Sequence, residues 1–172
     1  PAPTRVSGRW ETRPALGIVG LGPGYAFGAL AIVSTLAVRT GRAAIVPILG
    51  TWMFSLVACA ATLLHLDRFF QGTVNFYVWF AIYIVLPVVL PVIWWLNRTH
   101  DPGPQPGDVL LSRTIAVAAS SVGIVFGLLS LVLVFSPSTA AAFWPWILTP
   151  LIPLSIGAWL LFIATALVCL RV

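Results

Sequence analysis

Five stretches of this chain contain no Asp, Glu, Lys or Arg: residues 14–38, 43–66, 76–96, 114–135 and 147–170. A helix rises 1.5 Å per residue, so about 20 apolar residues cross a ~30 Å hydrocarbon core, and each stretch is long enough to do so. Water cannot be the solvent for such a sequence. Of its 172 residues 60% are hydrophobic and 8% charged, where an average soluble domain carries roughly 25% charged residues. A chain this short cannot hide that much apolar surface in one core, and its mean hydropathy is +1.05. The expectation is an all-α integral membrane bundle of five transmembrane helices, in which a polar tail, 1–13, precedes a single polytopic membrane domain, 14–172.

Gly17, Gly20, Gly22, Pro23 and Gly24 crowd the first half of the first stretch. Its regular helix is therefore expected from Pro23 onward, where proline suits the first turn. Pro23 to Val38 alone would span about 24 Å, short of the core, so the glycine-rich lead-in is expected to lie in the interface or to pack against neighbouring protein. Trp79 near the start of the third stretch, Trp94 and Trp95 at its end, and Trp144 and Trp146 before the fifth read as membrane-interface anchors at headgroup level. Pro87 and Pro91 each remove a backbone hydrogen bond inside the third helix, which predicts a kink there. Pro150 and Pro153 push the start of the last helix toward or past themselves. Residues 97–113, with Pro102, Pro104 and Pro106, read as an extended link too short for a folded domain. No segment reads as a strand.

All nine basic residues are arginine, against four acids. The pI of about 10.3 does not imply nucleic acid, because the arginines are scattered between apolar runs and not clustered in a groove or along a helix. Anionic lipid headgroups or the acidic rim of a partner suit them better. Arg5, Arg9, Arg13 and Arg68 fall on the side of the N-terminus, and Arg39, Arg42, Arg98, Arg113 and Arg171 on the other. That near-tie gives only a lean toward N-terminus outside and C-terminus inside, from the absence of any basic residue between the last two helices. Cys59 and Cys169 lie within apolar runs as small packing residues, not as a disulfide or zinc framework. The sequence starts at Pro1 without an initiator Met or a secretory leader pattern, so a processed or incomplete N-terminus is expected.

Two patterns stand out within the spans. Gly20, Gly24 and Gly28 in the first, and Ala116, Ser120, Gly123 and Gly127 in the fourth, recur at helical spacing. Small stripes let backbones approach closely where lipid supplies no hydrophobic drive, so these residues are read as helix-packing positions. His65 is the one ionisable side chain inside a run, and an intramembrane histidine is a candidate ligand for haem or for a chlorophyll-type magnesium. Its bland reading is an interfacial histidine hydrogen-bonded near Asp67. Neighbouring positions on a helix do not face each other, which counts against a His65–Asp67 general-base pair. With every span uncharged at its middle, proton-coupled transport, intramembrane proteolysis and metal catalysis all lack their usual groups. The expectation is that the chain is not an enzyme and holds no metal.

The stretches HLDRFF (65–70), FAIYIVLPVVLPVIWWLNRTHDPG (80–103), FWPWILTPL (143–151) and IGAW (156–159) resemble a family of small, uncharacterised multi-pass bacterial membrane proteins. The resemblance implies a multi-helix fold in the bacterial inner membrane and no known activity. From the residues themselves, the expected role is a non-enzymatic accessory or scaffold subunit of a larger energy-converting complex, photosynthetic or respiratory. Its partners would be other membrane subunits and lipids, with bacteriochlorophyll, carotenoid or lipid contacts left open. The alternative is a small transporter or channel for an uncharged solute, with Pro87 and Pro91 breaking the third helix around a pore.

Overall fold

The computed structural model describes residues 5, 6, 10, 11, 26, 28–30, 33, 41–98, 111–145, 148, 149 and 151–169. Over these the chain is an all-α membrane bundle, built from α1 (Gly41–Leu64), α2 (Val74–Asn97), α3 (Arg113–Phe135), the short α4 (Pro137–Phe143) and α5 (Leu151–Cys169). Four of these, α1, α2, α3 and α5, are long and apolar enough to cross a membrane. Of the first expected span, Ala26, Gly28, Ala29, Leu30 and Val33 are helical. Its remainder, with Gly20 and Gly24, lies outside the described residues, as do Trp146 and His100. The tail departs from the strand-free expectation by one minimal ladder, β1 (Arg5–Val6) antiparallel to β2 (Trp10–Glu11).

Local signals set the helix ends. Gly72, at φ 86°, makes the left-handed turn ahead of α2, a conformation that costs glycine nothing. The Thr73 hydroxyl then caps α2 by accepting from the Phe76 N–H at 3.2 Å. Ser112 caps α3 in the same way through Ile115 N–H. Each such cap satisfies an amide that the first helical turn leaves without a partner. The last helix begins at Leu151, between the two prolines expected to delay it. Pro153 sits in the first turn, where its missing N–H has no carbonyl to serve. Between the last two spans Pro137–Phe143 is a short helix entered through proline, with Ala140 fully buried.

The spans lie in the order α2, α1, α5, α3, with α5 packed against both α1 and α3. Neighbours in this row run antiparallel, so 65–73 and 136–145 share one end of the bundle. Hydropathy is nearly uniform around these helices, so it cannot choose an inward face. Side-chain size and aromatic content choose it instead. On α3 the inward stripe is Ser120, Gly123, Ser130 and Leu133, all buried, while Ile124, Val125 and Leu128 face outward.

At the α3–α5 contact a Cβ placed on Gly123 would stand 3.1 Å from the Ala164 carbonyl oxygen and 3.1 Å from the Leu167 Cβ. Two turns along, a Cβ on Gly157 would meet Val134 Cγ2 at 2.8 Å, and the Ser130 hydroxyl donates to the Gly157 carbonyl at 2.7 Å. The helices approach this closely only because each contributes a glycine where the other presents backbone. Gly127 is roomier, with Ala164 Cβ at 3.8 Å its nearest neighbour. Gly123→Leu and Gly157→Leu are therefore expected to force α3 from α5 and to lower the thermal midpoint in detergent, at a cost of about 1–3 kcal/mol each. Gly127→Ala should leave the midpoint unchanged or raise it. Equal effects from all three substitutions would contradict this assignment of the close contact.

Candidate functional site

The α1–α2 pair is joined by two polar clasps, both made by tryptophan. Pro91 has no N–H, so the Pro87 carbonyl one turn earlier loses its helical donor. The Trp52 indole of α1 donates to that carbonyl at 3.0 Å. The helix expected to break or kink at these prolines is assigned as one element from Val74 to Asn97. Nearer the turn, the Trp79 indole donates to the Thr62 hydroxyl at 3.2 Å, and that hydroxyl donates to the Ala58 carbonyl at 2.7 Å. Trp79, read from the sequence as an interface anchor, is 8% exposed and belongs to the core. Its polar end found a partner in the interior, which removes the reason for an indole to seek the interface.

Aromatic rings continue from this clasp across the bundle. Trp79 and Tyr83 lie 4.4 Å apart between centroids, Tyr83 and Phe54 6.0 Å, and Phe54 and Trp159 4.4 Å. The series crosses from α2 through α1 to α5. Beside it opens a cleft of about 240 Å³, walled by Phe54, Tyr83, Trp159 and Phe162 with Ile82 and Leu86. Gly28 and Ala29 of the first helical segment close one side, and Thr51 of α1 completes the lining. Gly28 meets Trp159 edge-on, since a Cβ there would lie 2.8 Å from the ring. A second space of about 20 Å³ lies behind the Thr62–Trp79 clasp, with Ser155 in its wall, and is large enough for one water.

The other expected site residues are spread through the fold. His65 sits between α1 and the 3-10 turn Leu66–Arg68, half-buried, its Nδ1 covered and without a hydrogen-bond partner among the described residues. Asp67 does not serve it: the carboxylate pairs with Arg68 at 3.0 Å, both side chains largely exposed, an arrangement worth little in stability. Among the described residues no three His, Cys, Asp or Glu side chains gather into a possible metal site. Ala116 is half-buried and Ser120 and Gly123 are buried on the α3 stripe, with Gly127 on the same face. Gly28 lies against α5 through Trp159. Trp94 and Trp144 are half-buried, and Trp95 is exposed, with the Arg98 guanidinium 3.4 Å over its ring. No protein-family model, curated protein or solved structure matches the chain.

The cleft went unseen in the sequence because its lining comes from four separated segments. One signal was nevertheless present: Phe76, Trp79, Phe80 and Tyr83 repeat at three- and four-residue steps, marking one aromatic face of α2. Removing the Trp52 indole tests the proline clasp. Trp52→Phe is expected to cost about 1 kcal/mol in detergent unfolding by stranding the Pro87 carbonyl. In a Pro91→Ala background, where a helical N–H returns to that carbonyl, the same substitution should cost less. An unchanged cost in both backgrounds would show that the indole acts by packing alone.

Proposed function

We propose that this chain is a non-enzymatic integral membrane subunit that packs against other membrane subunits of a larger energy-converting assembly, filling space between helices and lipid. The supporting observation is where its polar groups are spent. Inside the spans, the hydroxyls of Ser55, Thr62, Ser120, Ser121, Ser155 and Thr165 each donate to a carbonyl of their own helix, and Ser130 to one of a neighbouring helix. Such bonds satisfy the hydroxyl donors within hydrocarbon and commit them to the fold. The outer helices α2 and α3 bury only a narrow stripe and turn Ile84, Val85, Val88, Ile124, Val125 and Leu128 outward. These apolar faces suit lipid and neighbouring helices equally.

The motifs HLDRF and WPW-x-LTPL support, as part of the same proposal, kinship with small multi-pass proteins of the bacterial inner membrane, oriented N-terminus out and C-terminus in. Extraction of the tagged chain from its native membrane in mild detergent tests the role. The expected result is co-migration at fixed stoichiometry with integral membrane subunits that carry redox cofactors or pigments, and slower assembly of that complex when the chain is deleted. Recovery as a lone bundle, with a deletion strain that assembles its complexes normally, would refute the proposal.

A further inference from the structure

The cleft between the Gly28 segment, α1, α2 and α5 carries one feature that a packing role does not use. Among the described residues, beyond the first turn of α1, α2, α3 and α5, every serine and threonine hydroxyl except that of Thr51 donates to a backbone carbonyl. Among the described residues the Thr51 hydroxyl has no hydrogen bond, and Thr51 lines the cleft. A hydroxyl left without a partner in hydrocarbon is costly. A ligand oxygen in the cleft would supply that partner.

We propose that this cleft binds one uncharged, lipid-soluble molecule bearing a single flat ring with a carbonyl oxygen, of the quinone class, the Thr51 hydroxyl donating to that oxygen. Size, surface and charge each narrow the choice. An apolar cavity of about 150 Å³ takes up benzene, so about 240 Å³ admits a substituted six-membered ring. A porphyrin or chlorophyll macrocycle is larger than the space. The walls present the rings of Phe54, Tyr83, Trp159 and Phe162, and flat conjugated systems stack on or meet such rings edge-on. Among the described residues no charged side chain lines the cleft, and an ion there would bear the full cost of leaving water. Ile82 and Ala29, both in the lining, are exposed on the lipid-facing side. A ring can thus enter from the bilayer while its isoprenoid or alkyl tail stays in lipid. The proposal concerns binding and involves no electron transfer.

The test uses the purified full chain in phosphatidylcholine nanodiscs, titrated with a benzoquinone carrying a decyl tail and, in parallel, with decanol. Binding is read by tryptophan quenching and by the shift in thermal midpoint. Saturable binding of the quinone with a raised midpoint is expected. Thr51→Val, which keeps the shape and removes an unbonded hydroxyl, should raise the unliganded midpoint or leave it no lower, and weaken binding roughly three- to ten-fold. Ser121→Ala, on the lipid-facing side of α3, should change nothing. Quenching that rises linearly without saturation, equal affinity in Thr51→Val, or decanol that protects as well as the quinone would each overturn the proposal. Because this readout needs only the isolated chain, it is independent of whether the chain joins a larger assembly.

Discussion

Lipid tails are as apolar as leucine, so helices in a bilayer gain little by hiding hydrophobic side chains from one another. What holds this bundle together is therefore closeness: backbone brought against backbone at glycine, and indole or hydroxyl groups bonded across helices. Gly123 facing the Ala164 carbonyl and Gly157 facing Val134 set the α3–α5 distance. Gly50, where an added Cβ would stand 3.1 Å from the Phe162 ring, does the same between α1 and α5. The inner position of α5 follows, since glycine lets backbone come close on both of its sides, toward α3 and toward α1. Its window of span residues is 39% buried, against 17% for α2 and 22% for α3.

Proline and tryptophan form a second, complementary system. A proline in a membrane helix leaves a carbonyl that water cannot reach, and the bundle meets that need with a side chain from the next helix. Trp52 plays this part for Pro87. The Trp79–Thr62 clasp performs a similar service near the turn, where the hydroxyl relays the bond to the Ala58 carbonyl. Tryptophans thus do two jobs in one chain. Trp95 with Arg98 lies exposed at the far end of α2 from the turn, where an indole face under a guanidinium suits headgroup depth, whereas Trp79 and Trp52 are structural donors inside.

Much of the fold was legible because hydrocarbon imposes a length and forbids charge. The uncharged runs 76–96 and 114–135 differ by no more than two residues at either end from Val74–Asn97 and Arg113–Phe135. The α3 stripe was legible for a related reason, since small residues at helical spacing have few uses in lipid besides close packing. The burial of Trp79 was not legible, because an aromatic near the end of an apolar run matches the pattern of an interface belt. Only the neighbouring Phe76, Phe80 and Tyr83 hint that the whole face turns inward. Leu151 starts the last helix ahead of Pro153 because first-turn amides need no partner, so the proline carries no penalty there. The cleft and the singularity of Thr51 depend on convergence of distant segments, and no spacing rule along one chain encodes that.

The central claim is that α3 and α5 touch along their small-residue faces within the membrane. Gly127 offers a direct probe, because a Cβ built there lies 3.8 Å from the Ala164 Cβ, close to the mean Cβ separation of disulfides. In native membranes, with Cys59 and Cys169 replaced by alanine, a Gly127→Cys/Ala164→Cys pair should close to an intrachain disulfide rapidly and almost completely under mild oxidant. A Leu128→Cys/Ala164→Cys pair, one residue round to the outward face, should stay reduced. Closure of the second pair with failure of the first would contradict the packing on which the bundle rests.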